Sequence, residues 1–331
     1  MSDRGPDSHA EPAAPFDGLG PDEVLDALAV LGLEPDGTLL ALNSYENRVY
    51  RTGLEAGAPR VLKFYRPGRW ADEAIEEEHA FTAELAAAEI PVVAPEAHAG
   101  RTLHHHAGFR YAVFPLRGGH WPDLDAREDR IRVGRLIGRL HQVAARGIFA
   151  HRPQLDVNAT GETARNLLLE GGFIAPGLED AWEAVSADLL DLCHERWEAV
   201  SPRLQRTHGD LHRSNLLARE DVLHVVDLDD CMTAPAVQDL WMFLDGGADE
   251  QPGQLEALLE GYGTFASLDP SELALIEPLR ALRMIHYSAW LAARWHDPAF
   301  PRAFPWFAEP RYWEEQVLAL KEQLARVQQC G

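Results

Sequence analysis

Cysteine is nearly missing from this sequence. The 331 residues hold three, Cys193, Cys231 and Cys330, an odd number with no CxxC spacing, which argues against a disulfide framework or a zinc site. Lysine is scarcer still: Lys63 stands alone until Lys321 near the end. Basic charge as a whole is outweighed, 30 Lys and Arg against 53 Asp and Glu, for a formal net charge of -23. A surface of that sign repels phosphate backbones and anionic lipid, so no nucleic-acid or membrane partner is expected. No apolar run approaches the roughly 18 residues of a spanning helix. Residues 1–18, rich in Pro, Gly, Ala and acids, lack the basic start and apolar run of a secretion signal. These absences predict a reduced, soluble, cytoplasmic protein; a monomer is expected, and the composition of 1–18 suits a flexible tail.

What is present suffices for a sizeable core, since 46% of residues are hydrophobic. At about 150 residues per domain, the length suits two units. A helical pattern opens at Pro21 and can end at Gly32. Strand-like segments at 39–42, 48–51, 61–65 and 111–114 then enclose one helix over 71–89. Beyond Pro115 helices dominate, at 131–145, 178–200, 254–265, 270–295 and 313–329, with short strands only at 204–207 and 222–226. The pattern predicts an α+β, two-lobed fold. A small β-rich, nucleotide-binding lobe spans 19–116, and a larger, mainly helical catalytic and substrate lobe spans 117–331.

The chemistry concentrates in His208-Gly209-Asp210-Leu211-His212-Arg213-Ser214-Asn215 and in Val226-Asp227-Leu228-Asp229-Asp230. Gly209 permits a tight backbone path that projects the Asp210 carboxylate into a cleft. Asn215 follows five positions later, where a loop can curl its amide oxygen back, and Asp227 ends an apolar strand. One carboxylate for an acceptor hydroxyl, with an amide oxygen and a second carboxylate for magnesium, is what phosphoryl transfer asks of a protein. The spacing H-x-D-x-x-x-x-N, then an acidic strand end, matches the kinase catalytic loop and metal-binding Asp. Three carboxylates at a strand end also repel one another unless a cation offsets them. Lys63, within the apolar run Val61 to Tyr65, is the candidate contact for the ATP phosphates. Glu78 on the 71–89 helix is its ion-pair partner, with Glu77 as the fallback.

These residues resemble the aminoglycoside phosphotransferase and choline kinase group of the kinase superfamily, and within it the bacterial stress response kinase A family of Ser/Thr protein kinases. The resemblance rests on Leu42-Asn43-Ser44-Tyr45-Glu46-Asn47-Arg48-Val49-Tyr50, Lys63-Phe64-Tyr65-Arg66-Pro67, the two motifs above, and Pro235-Ala236-Val237-Gln238-Asp239-Leu240-Trp241-Met242. It extends from about residue 20 to 320. It implies that Asp210 is the proton acceptor, that Asn215 and Asp227 bind Mg2+, that Asp227 also belongs to the catalytic centre, and that Ser44 lies in the loop over ATP. It further implies transfer of the ATP γ-phosphate to protein Ser/Thr hydroxyls, with a cytoplasmic role in stress. The alternatives are a small-molecule kinase acting on an amino alcohol, sugar or aminoglycoside, and a non-catalytic ATP-binding regulator.

Two departures from ordinary protein kinases stand out. The nucleotide loop, 43–48, has no glycine, so Ser44, Asn47 or Arg48 must substitute for bare backbone. Asp227-Leu228-Asp229 replaces Asp-Phe-Gly. Elsewhere, His104-His105-His106 reads as a surface loop, and Gly134 with Gly138 reads as close helix packing. Trp290, Trp295, Trp306 and Trp313, with Tyr287 and Tyr312, read as core more than as an acceptor pocket. Arg283 and Arg294 read as a solvated face, with attraction of an anionic acceptor as the other reading.

Overall fold

Alternation of apolar and polar residues in the first 115 positions builds a five-stranded antiparallel sheet. Its strands are β1 (Pro35–Leu42), β2 (Arg48–Leu54), β3 (Arg60–Phe64), β4 (His104–His106) and β5 (Phe109–Pro115), in the order β1-β2-β3-β5-β4. The structure, a computed structural model, describes residues 14–247 and 249–329. Most of the predicted tail, residues 1–13, and Cys330 therefore lie outside the described residues.

One sheet face buries Leu62, Phe64, Tyr111 and Val113 against Val24, Ala27 and Leu28 of helix α1 (Pro21–Ala29). Because strand side chains alternate, Lys63 points to the opposite face. That face is covered by α2 (Asp72–Ala87), which packs Ile75 against Tyr65 and Ala112. Asp72 and Glu73 in the first turn of α2 complement its dipole. Further along, Phe81 and Leu85 of the same helix join Ile137, Leu140, Val225 and Leu228 in the main core, so α2 fastens the sheet to the helical part. The His104–His106 run, expected as a loop, is the short edge strand β4, with His104 against the Tyr111 ring at 5.4 Å.

The helical part comprises α3 (Arg127–Ala144), α4 (Thr163–Glu170), α5 (Glu179–Val200), α6 (Gln251–Tyr262), α7 (Ile276–Ala293), α8 (Ala299–Ala303) and α9 (Pro310–Gln329). The helix expected over 270–295 divides: Pro270–Leu275 is a 3-10 turn, and α7 starts afresh with Pro278 in its first turn, where a missing N–H costs no bond. Helices α3 and α6 meet backbone to backbone. A Cβ on Gly134 would lie 2.0 Å from the Leu258 carbonyl oxygen, and one on Gly261 would lie 2.0 Å from that of Ile131. Two small ribbons carry the loops of interest: β6 (Leu204–Thr207) pairs with β9 (Met232–Pro235), and β7 (Leu216–Arg219) pairs with β8 (Val222–Val225).

Candidate active site

Strand β6 delivers the chain to His208, where a fully buried carboxylate fixes the loop. Asp239, at the end of the Ala236–Asp239 3-10 turn, accepts the backbone N–H groups of His208 (2.8 Å) and Gly209 (2.9 Å). Buried His141 lies 3.0 Å from both Asp239 and the Tyr262 hydroxyl, so α3 and α6 support the same loop. Gly209 has φ +84°, and a Cβ there would sit 2.1 Å from the Asp230 carbonyl oxygen. Only glycine lets the loop bearing Asp210 lie this close to the turn bearing Asp227.

Asp210 is consequently held at the loop's edge, half-buried, with both carboxylate oxygens engaged. Arg283 of α7 donates to Oδ1, and His212 Nε2 stands 3.4 Å from Oδ2. Burial works to raise the Asp210 carboxyl, but His212 and Arg283 outweigh it and hold it well below the usual carboxylate range. Asn215 donates its amide N–H to the Asp210 carbonyl at 2.9 Å, which turns its amide oxygen away from that bond.

The acidic turn after β8 uses its three carboxylates differently. Asp227 adopts a left-handed conformation (φ 61°), which Asp tolerates better than most residues, and its side chain remains 57% exposed beside Lys63 Nζ at 3.2 Å. Asp229 is buried. It meets Lys63 Nζ at 2.9 Å, accepts from Asn47 Nδ2 at 3.1 Å and pairs with Arg69, which also holds Asp230. Lys63 reaches Glu78 Oε1 at 3.8 Å. Part of the cation the acidic run requires is therefore supplied by the chain itself.

Burial opposes the Lys63 ammonium, yet Asp229, Glu78 and Asp227 raise its pKa well above the ordinary value. The same two cations, Lys63 and Arg69, overcome burial at Asp229 and keep it ionised. Burial pushes Glu78 up to about 7 against the pull of Lys63, and Asp230 up to about 6 against that of Arg69. Glu77 faces elsewhere: its carboxylate accepts the backbone N–H groups of Ala150, His151 and Arg152 at 2.7–2.9 Å.

The glycine-free loop between β1 and β2 is closed by its own side chains. Ser44 Oγ accepts the Asn47 N–H at 3.3 Å, and buried Asn47 bridges Asp229 and the Arg66 N–H. Arg48 instead stacks over Phe16, at 4.6 Å to the ring centroid. Glu46 is the anchor. It accepts from Trp290 Nε1 (2.8 Å) and pairs with Arg294 Nε (2.6 Å), both on the α7 side, with Arg66 and Arg69 nearby at 3.8 and 3.7 Å. The aromatic group divides. Trp313 is core, whereas Tyr287 and Trp306 are 39% and 38% exposed and stack at 6.5 Å and 21°.

For a hard cation the arrangement offers oxygen donors of the right type: the exposed Asp227 carboxylate and the Asn215 amide oxygen. Of the carboxylates in the acidic turn, Asp227 is the most exposed and so the one most open to such an ion.

Residues 38–276 match the family model described as the phosphotransferase enzyme family. Stress response kinase A of Escherichia coli (strain K12) is 43% identical over 314 residues, 95% of each chain. The chain belongs to this phosphotransferase family, in its stress response kinase A branch. "Serine/threonine protein kinase RdoA" of Salmonella typhimurium is 42% identical over 93% of each chain. Among solved structures, a microcompartment-associated aminopropanol kinase superposes with a TM-score of 0.68 at 22% identity, covering 90% of this chain and 99% of its own. An amicoumacin kinase superposes with a TM-score of 0.66 at 20% identity, covering 87% and 92%. The α+β kinase-like architecture is thus that of the phosphotransferase family.

Of the residues singled out from sequence, the structure brings Lys63, Glu78 and Asp227 into one ion-pair cluster, and ties Asn215 to the Asp210 loop. Ser44 lies in the β1–β2 loop, its hydroxyl oxygen accepting the Asn47 N–H. Sequence reasoning missed Asp229, Asp239, Arg69 and Glu46. Asp229 and Asp239 stood inside recognised motifs, but nothing local distinguished a buried carboxylate from a solvated one.

Proposed function

We propose that this kinase transfers the γ-phosphoryl group of Mg-ATP to Ser/Thr hydroxyls of proteins, in the bacterial stress response that its relatives' name denotes. The observation that carries the reading is the single cluster of Lys63, Glu78, Asp227 and Asp229 facing a loop that presents an ionised Asp210. The relative named as a serine/threonine protein kinase, similar over 93% of its length, supports the choice of acceptor.

In this reading Lys63, held by Glu78, contacts the ATP phosphates, and the β1–β2 loop with Ser44 covers them. Asp227 and Asn215 hold magnesium, which when bound neutralises charge developing on the transferred group. Asp210 orients the acceptor hydroxyl and accepts its proton. The hydroxyl oxygen then bonds to phosphorus as the bond from phosphorus to the departing ADP oxygen breaks. Asp239 contributes by fixing the loop, since it holds two successive N–H groups beside Asp210. Residues 19–116 would form the nucleotide-binding lobe and 117–331 the catalytic lobe.

The test is transfer of labelled γ-phosphate from Mg-ATP to myelin basic protein or casein, in parallel with a panel of amino alcohols and aminoglycosides. Label on protein Ser or Thr that vanishes with Asp210→Ala is expected. Label confined to a small molecule would reassign the acceptor, and tight Mg-ATP binding without any transfer would indicate a regulator.

A further inference from the structure

One cation reaches the acidic mouth of the site from outside its loop. Arg283 leaves α7 with 43% of its side chain exposed and donates to Asp210 Oδ1, while His212 attends Oδ2. One turn further along α7, Tyr287 is exposed and stacks on exposed Trp306. An acceptor hydroxyl approaching Asp210 must take one of these two oxygens. His212 belongs to the same loop, only two residues away, whereas Arg283 arrives from another element and is the more exposed partner. Arg283 is therefore the partner that can turn outward without rearranging the loop.

Releasing Arg283 from a half-buried carboxylate leaves a cation without its counterion, unless the acceptor brings one. A carboxylate or phosphate next to the hydroxyl makes the exchange even in charge: Arg283 passes from Asp210 to the acceptor, and Asp210 passes from Arg283 to the hydroxyl. A cationic neighbour would instead meet Arg283 at like charge.

We infer that Arg283 is a specificity-determining residue that selects acceptors carrying an anionic group beside the reacting hydroxyl, in proteins a Ser or Thr flanked by acidic or phosphorylated residues. This rests on the phosphotransfer reading above and narrows its acceptor. Small hydroxy acids and phosphorylated alcohols share the chemistry, and the experiment separates the two sources.

Two acceptor series would be compared under Mg-ATP. One comprises Ser peptides flanked by Glu, Ala or Lys; the other comprises small alcohols with a carboxylate, no charge or an ammonium beside the hydroxyl. Each is run with wild-type enzyme, Arg283→Ala, Arg283→Lys and Arg283→Glu. In the active series, wild type should favour the anionic over the neutral acceptor about ten- to a hundredfold in kcat/KM, the scale of one charge-assisted hydrogen bond. Arg283→Ala should bring that ratio to about one, Arg283→Lys should restore part of it, and Arg283→Glu should reverse it toward the cationic acceptor. A ratio is read because any loss of loop order lowers both members alike. Activity only on the small series with the same ratios would sink the protein-acceptor reading and keep the Arg283 assignment. Equal ratios in wild type and Arg283→Ala, a preference for cationic acceptors, or no transfer in either series would overturn the assignment.

Discussion

Asp210 and Asp227 are both carboxylates at loop edges, yet their surroundings set them to different tasks. Asp210 is flanked by Arg283 and His212 and keeps its charge far into acid, whereas Asp227 is mostly exposed beside Lys63. Asp210→Ala should lower kcat by about 10²–10⁴, the usual contribution of a general base, while equilibrium titration still finds Mg-ATP bound. Asp227→Ala should abolish the magnesium dependence of that binding. Identical titration curves for the two variants would contradict this division of labour.

Glu78 supplies the pH response. Because burial lifts its carboxyl to about 7, it takes up a proton as pH falls through neutrality, and Lys63 loses one of its three partners. The kcat/KM for ATP should therefore decline on the acid side with an apparent pKa near 7, and in Glu78→Gln, slower throughout, that decline should move down toward pH 6, where Asp230 takes up its proton. Asp210 cannot be the source, being ionised over the whole range. The stability term runs in the opposite sense. A carboxyl raised in the folded state favours folding below its ordinary value near 4.5, and that contribution is lost as pH climbs through about 7. Thermal unfolding followed across this window should show Glu78→Gln gaining on wild type as pH rises.

At the level of elements, the tightest contact lies where α3 crosses α6. Gly134→Val would force a side chain into the Leu258 carbonyl and should cost about 1–3 kcal/mol or more, read as a lowered Tm. Gly147→Ala, with open space around it, should leave Tm unchanged. Close packing of α3 was legible in the sequence, because two glycines one turn apart on an amphipathic helix have few other uses; that its partner would be α6 was not. Also legible were β2, β3, β5 and α2, whose periods are long enough to read. Strands β7 and β9, four residues each, lack a period of their own and exist through pairing with β8 and β6. The three histidines of β4 carry no strand signal either.

Within the site, the motif positions were legible and their partners were not. The acidic run visibly needed a cation, but that Arg69 would share the duty with Lys63 depends on a contact spanning 160 positions. Asp239 reads as polar at the edge of an apolar stretch, and its burial follows only when β6 and β9 pair. Arg283, one turn from Tyr287, offered an exposed face as its default, and its bond to Asp210 spans 73 positions.

For the whole molecule, two of the contacts that join the sheet to the helical part are unlike in kind. On one side α2 lends apolar residues to the main core, a contact that does not come apart without unfolding. On the other, the β1–β2 loop is attached through the Glu46 carboxylate to Trp290 and Arg294, a polar contact that can open and close. With ATP under that loop, as proposed, release of the spent nucleotide would include the parting of Glu46 from Trp290 and Arg294. Phosphoryl transfer would then outrun ADP departure, and a rapid-quench experiment should record a burst of phosphorylated product, close to one per enzyme, before the steady rate. Glu46→Gln, which keeps the shape and gives up the charge, should shrink the burst while raising the steady rate. The speed of this enzyme would then be set in part by one carboxylate that takes no part in the bond being broken.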